Sequence, residues 1–363
     1  MLIKEITIPH MICDYNCMWN GVEDQYMWKT DTKIPKYLFF GLSAFCSVIY
    51  LKQSKPTNRR VVYWSNGLPQ RMYNFMEEVI GYTVKKYRGK DFEKALASVK
   101  RYIDNDIPVT LGALDMYNLP YYEKFFHKNH IPIHYVLAVG YNDSIGVLKI
   151  ADCGKNEYQE ISYSNLQSSW NVDVPGFSKA YTYYVFNFKK AVRPIEEIFK
   201  IGLKKKCVQN LESEVSFIGI NGIKKIAKEF PKWQNELSHE SYIASLKHFV
   251  EYTGFPPALP FELTGDCDSS LATHKASRDV FADLLNYGCE AYCKKAWGSA
   301  AALFNFSGEI IEQMTDLIVK KIQGSSQSLT EIPEMLDKIA LLEGNAYHLI
   351  NKSIEISYSN ILS

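Results

Sequence analysis

A chain of 363 residues is longer than one small core organises, so two domains are the natural expectation. Its 47% hydrophobic and 22% charged content is that of a globular protein, not of a disordered segment. With 41 basic against 40 acidic residues it has no basic surplus for nucleic acid and no acidic tail, so no nucleic-acid partner is expected.

The start, "MLIKEITIPHM", carries Lys4 and Glu5 and no long apolar run. Neither a signal peptide nor a membrane segment is expected there, and no run elsewhere reaches spanning length. The reading is therefore a cytoplasmic protein with no membrane partner. The eight cysteines are then thiols, not a disulfide framework. Cys13/Cys17 and Cys289/Cys293 are each four apart, but no CxxC pair supports zinc, so no metal is expected. No other bound cofactor is expected either.

In chain order, residues 3–9 alternate like a short strand. Residues 14–28 change to three- to five-residue steps, which predict a helix capped by Asp14 or Asn16. Residues 37–53 form a buried segment ending in a strand, and 59–66 a further short strand. The stretches 70–87 and 91–106 read as two helices. Four strands follow at 108–115, 134–143, 146–154 and 179–188, a mostly antiparallel sheet. Residues 1–190 thus read as an α+β domain. Beyond them every segment is helix-periodic, with breaks at Gly, Pro and Ser clusters, so residues 191–363 read as an all-helical domain.

Within the sheet, "IPIHYVLAVGYND" opens on His134, and the neighbouring "GVLKIADCG" closes on Asp152. A hairpin with period-two alternation turns both residues the same way. Nucleophilic thiol chemistry needs a thiolate, a base and a group that orients the base. "MICDYNC" supplies cysteines where a helix begins, and a helix N-terminus favours negative charge. Cys13, His134 and Asp152 are the expected triad, in the papain-like order, with Cys17 the alternative nucleophile. Either cysteine is expected to reach His134, since they lie one helical turn apart. The blander readings are a small buried Cys, a structural His and a turn Asp. Cys46 reads as core. The nucleophile's own amide and Asn16 are the candidate oxyanion donors.

Residues 108–154 resemble the BtrH-type family of butirosin biosynthesis. The likeness runs through Asp115, Tyr117, Leu119-Pro120-Tyr121, His134, Gly140-Tyr141 and Asp152, with Cys13 to Met18, Phe40-Gly41-Leu42 and Arg278 as weaker echoes. The chain departs from the family at "TGDCDSS", where glycines are usual, which puts a substrate contact there in doubt. That stretch also superficially resembles a carrier's phosphopantetheine site, but no carrier-sized module follows it. The catalytic sheet and triad are similar also to cysteine peptidases that trim bacteriocin leaders.

The resemblance implies a papain-like cysteine-protease fold for 1–190. It also implies transfer of an acyl or peptidyl chain from a carrier protein's phosphopantetheine thioester, through the cysteine, to an amine. The expected partners are thus an acyl or peptidyl carrier protein and a small amine. Asp115 is the candidate to meet the amine, unless it merely caps the turn after its strand. Tyr117 and Tyr121 would line an acyl tunnel or simply pack. Arg278 would meet the phosphopantetheine phosphate or anchor a helix by a salt bridge. Two other classes stay open. A leader peptidase would cut a peptide, and a non-catalytic binding module would lose nothing when Cys13 and Cys17 are both replaced.

Overall fold

The structure is a computed structural model describing residues 3–13, 15–43, 47–53, 58–65, 68–175, 177–188, 192–254 and 274–359, the last five as backbone only. Asp14, Cys46 and the stretch 264–270, which drew attention in the sequence, lie outside the described residues. The chain divides into two compact units: Met1–Ile34 with Leu68–Pro194, and Pro35–Gly67 with Ile195–Ser363.

The first unit mixes helix and antiparallel sheet. Its elements are β1 (Ile3–Glu5), α1 (Cys17–Thr30), α3 (Pro69–Ile80), β4 (Thr83–Arg88), α4 (Phe92–Asp104), β5 (Val109–Leu114), β6 (His134–Asn142), β7 (Val147–Ala151), β8 (Gln159–Ser162), α5 (Tyr163–Trp170) and β9 (Thr182–Asn187). The strand order is β4-β9-β5-β6-β7-β8. β1 shares an edge of β6 with β5: Leu114 to Val109 pair with 134–138, and Ile3 to Glu5 with 140–142. β5 is buried throughout and β6 nearly so, as expected of central strands.

Helix α1 starts where Asn16 accepts the Met18 N–H at 2.8 Å, and ends at Asp31 in the left-handed region. It is buried from Met18 to Met27, including Glu23, Asp24 and Gln25, so it lacks the single apolar stripe of a surface helix. It packs on β6, and Gly21 lets it approach: a Cβ there would lie 3.0 Å from Leu137 Cβ.

Two local readings need correction. The stretch 70–87 is a helix only to Ile80. Gly81 stops it in the left-handed region, and Thr83–Arg88 then pairs with β9 at the sheet edge. β8 and α5, between the strands predicted from sequence, were not expected.

The second unit contains α2 (Leu38–Leu42), the hairpin β2 (Ile49–Gln53) and β3 (Arg59–Tyr63), α6 (Ile195–Leu211), α7 (Gly219–Glu229), α8 (Trp233–Glu236), α9 (His239–Glu251), α10 (Arg278–Tyr292), α11 (Lys295–Ile322) and α12 (Ile332–Ser359). It is therefore not all-helical, and it takes in 35–67, which the sequence reading left with the first domain. The reason is backbone pairing. Gly219 N–H donates to Val48 O and Tyr50 N–H to Phe217 O, each at 2.9 Å. Among the described residues no helix is long and apolar enough to cross a membrane.

Arg278 sits inside this unit, fully buried. Its Nε and Nη2 meet the two Glu343 oxygens at 2.8 and 3.1 Å, and Nη1 donates to the Trp64 and Ala276 carbonyls. Ser307 adds a hydrogen bond to Glu343 at 2.7 Å. This is the helix anchor of the two readings weighed for Arg278, and its guanidinium has no exposed surface to offer a phosphate. Glu343→Ala leaves the guanidinium buried and unpaired, so chemical denaturation of the variant is expected to show a loss of about 3–5 kcal/mol. A loss below about 1 kcal/mol would mean that the pair is not an anchor.

Candidate active site

The register of β6 and β7 builds the site. Leu137 faces Ala151, so one further step puts Asp152 opposite Val136, on the same side of the sheet as His134. His134 Nε2 meets Asp152 Oδ2 at 2.8 Å, with both side chains buried. Asp152 accepts two more hydrogen bonds, from Tyr121 Oη to Oδ2 and Tyr122 Oη to Oδ1, each 2.7 Å. Three donors thus converge on a carboxylate with no exposed surface.

The charges follow. Burial alone would push the His134 imidazolium to a lower pKa. The Asp152 charge and hydrogen bond outweigh it, with help from Cys17, and the pKa is pushed up to about 10. Burial would likewise raise the Asp152 carboxyl, but the His134 charge and the hydrogen bonds from His134, Tyr122 and Tyr121 hold it below the usual range. The two shifts agree: the pair is an imidazolium and a carboxylate at neutral pH.

The two cysteines are not equivalent. Cys17 is the first residue of α1 and half-buried, and it is near enough to His134 to add to the upward shift of that imidazole. Asp152 engages Nε2 of His134, which leaves Nδ1 as the other ring nitrogen. The Cys17 sulfur also lies 4.0 Å from Ile133 O. Cys13 is not a helical turn below it. It precedes the helix in a segment outside any helix, where Cys13 N–H donates to Cys153 O at 2.9 Å. Its thiol donates to Asn16 O at 3.2 Å and lies in a buried group with Tyr15 and Glu23. Burial and the Glu23 charge push that thiol well up. The preference for Cys13 is therefore reversed: its thiol is turned to Asn16 O, and Cys17 is the cysteine that acts on the His134 imidazole.

Asn16 is 2% exposed. Its oxygen is held by Met18, and its Nδ2 has no partner among the described residues. Asp115 caps the turn after β5, the plainer of its two readings. Its Oδ1 accepts from Tyr117 N and Ile131 N at 3.1 and 2.9 Å, and its Oδ2 meets His130 Nδ1 at 2.6 Å. That carboxylate closes the base of the 115–133 loop and has His130, not a free face, as its neighbour. Tyr117 stacks on His130 at 4.1 Å. Tyr121 spends its hydroxyl on Asp152, so it belongs to the dyad and not simply to a tunnel wall.

Sequence reasoning missed Tyr122, whose only signal was the Tyr-Tyr doublet of "LPYYE". It also missed a second buried pair, His10 with Asp24 at 2.6 Å, whose His10 Nε2 meets Lys155 O at 2.8 Å. This pair ties the segment before Cys13 to the turn after Asp152.

Donor atoms of His134, Asp152 and Cys153 lie within 4.8 Å of one another. A metal there would need a Cys153 thiolate and a free imidazole nitrogen. Burial and the Asp152 charge instead push the Cys153 thiol well up, and Nε2 is engaged with Asp152. The donor set fits the dyad better than a metal.

The first unit thus carries a half-buried thiol at a helix start and a buried His–Asp pair on its sheet. Residues 16–153 match the family model described as butirosin biosynthesis protein H, N-terminal, and residues 165–254 match a domain of unknown function, DUF4872. The chain belongs to the BtrH-type family. No curated protein matches it.

The pair makes stability depend on pH with a defined sign. The share carried by His134, whose pKa is raised on folding, is fully present below about 6.5 and is lost as pH rises through about 10. The share carried by Asp152, whose pKa is lowered, is present above about 3.9 and is lost as pH falls. Asp152→Asn is expected to lower the melting temperature most between about pH 4 and 6.5, and less as pH rises toward 10. A difference that stays flat up to alkaline pH would remove the charged pair.

Proposed function

We propose that the protein is an amide-forming thiol acyltransferase, with Cys17 as nucleophile, His134 as its acid and base, and Asp152 orienting the imidazole. The observation that carries this is the buried His134–Asp152 pair, with Cys17 at the start of α1 near enough to act on the imidazole. Its order along the sequence, with the cysteine at a helix start and the other two on an antiparallel sheet, supports a papain-like catalytic fold. A cationic imidazole and a helix N-terminus are the surroundings that favour a thiolate.

The Cys17 thiolate adds to the carbonyl carbon of an acyl or peptidyl thioester carried on a carrier protein's phosphopantetheine. The C–S bond to the carrier breaks, and the imidazolium gives its proton to the departing thiolate. An acyl-Cys17 thioester and a neutral His134 remain. An amine then attacks that thioester, His134 takes the amine's proton, and Cys17 leaves as a thiolate. The imidazolium–thiolate pair is restored and an amide is released.

Developing negative charge on the carbonyl oxygen needs donors. The Cys17 N–H at the start of α1 is one, and Asn16 Nδ2, whose orientation follows from its oxygen being held by Met18, is the second. The triad itself does not choose between water and an amine. The family's association with butirosin biosynthesis supports transfer over cleavage.

Intact-mass spectrometry after incubation with an acylated carrier protein tests this directly. An acyl adduct is expected on the wild type and Cys13→Ala but not on Cys17→Ala, and it should yield an amide when a diamine is added. His134→Ala should slow adduct formation by about 10²–10⁴-fold. An adduct lost only in Cys13→Ala would restore that residue as nucleophile. Cleavage of a peptide panel without any adduct from thioesters would make the protein a peptidase, and activity indifferent to both cysteines would make the site non-catalytic.

A further inference from the structure

We infer that Tyr122, together with Tyr121, is a positioning residue of the reaction: the two hydroxyls fix the Asp152 carboxylate and, through it, the imidazole that serves Cys17. The inference rests on the reading of Cys17, His134 and Asp152 given above.

Each carboxylate oxygen has its own tyrosine. Tyr122 Oη holds Oδ1 and Tyr121 Oη holds Oδ2, the oxygen that also meets His134. Two tethers and the imidazole define both the position and the plane of the carboxylate, which one contact would leave free to swing. Three donors also explain the choice of acid. An amide in place of Asp152 has a single acceptor oxygen and would turn an N–H toward one of the three.

Tyr122 is placed by more than its hydroxyl. Its ring meets the His134 ring edge-on, with centroids 5.5 Å apart and planes at 89°. Lys155 Nζ lies over the Tyr122 ring at 5.2 Å. Gly154 leaves room for the hydroxyl, since a Cβ there would stand 2.8 Å from Tyr122 Oη. The residue after Cys153 is thus small because the tyrosine must pass it.

The loop that carries both tyrosines is itself pinned. Asp115 ties its two ends through Tyr117 N and Ile131 N, and Tyr122 N–H donates to Leu119 O at 3.1 Å. Burial and the Asp152 charge hold both phenols far above their ordinary range, so they remain donors wherever the dyad is charged.

Tyr→Phe keeps the ring and removes only the hydroxyl. Hydrogen bonds to a carboxylate favour its charged form, so losing one raises the pH at which Asp152 takes up a proton. The test is the rate of Cys17 alkylation by iodoacetamide, resolved by peptide mass spectrometry across pH, in the wild type, Tyr121→Phe, Tyr122→Phe and His134→Ala. This readout needs neither carrier nor amine. Wild type is expected to react faster than His134→Ala at neutral pH. Each Phe variant should lose about tenfold in rate, and its acid limb should move up by about half a pH unit or more. Gly154→Ala, which displaces the Tyr122 hydroxyl, should move the limb in the same direction, so the proposal does not depend on one variant folding.

Phe variants with the wild-type rate and limb overturn the clamp while leaving the thiol–imidazole reading intact. A slower rate at an unmoved limb also overturns it, because packing alone would do that. Equal rates in wild type and His134→Ala would sink the reading of the site and the clamp with it.

Discussion

A carboxylate with no exposed surface cannot remain charged without compensation, and the first unit is arranged around supplying it to Asp152. The imidazolium of His134 and two phenols converge on its oxygens, and the pair's opposite pKa shifts reflect that arrangement. Removing any one partner leaves the others facing a buried charge that is less well met. The loop 115–133 is therefore not free to vary as surface loops are. It must deliver Tyr121 and Tyr122, and Asp115 spends its carboxylate on holding the loop's base.

The Cys17 thiol is placed by a different set of constraints. Helix α1 is covered on nearly every side, and Gly21 sets it close on β6. Asn16 decides where the helix begins, and so makes Cys17 its first residue. The segment before it is clipped to the turn after Asp152 by Cys13 N–H to Cys153 O and by His10 to Lys155 O. Cys13 is thus a structural neighbour of the dyad's turn, and its buried thiol is kept protonated by the same surroundings that hold Glu23 up to about 8.

The second unit is organised by its own buried pair. Arg278 and Glu343 satisfy each other bidentately, with Trp64 O, Ala276 O and Ser307 completing the set. Trp64 comes from the stretch that follows α1 in the chain. The hairpin in that stretch forms main-chain bonds to residues 217–219, far along the sequence. This is why a boundary drawn from composition alone misses it.

The sequence by itself determined the parts whose signal is local. Alternation in 134–152 placed His134 and Asp152 on one side of a hairpin, and three- to four-residue periodicity marked the helices after residue 192. Tertiary structure decided the rest. Gly81 ended a helix early because Thr83–Arg88 had a partner strand in β9, about a hundred residues away. Cys13 and Cys17 do not share a helix face, because four residues are one turn only if both lie in the helix, and Asn16 starts the helix between them. The roles of Asp115, Tyr122 and Arg278 depended on which buried groups lacked a partner. A polar side chain in a core is claimed by whichever opposite group folding brings to it, and that neighbour is set by long-range packing, not by spacing along the chain.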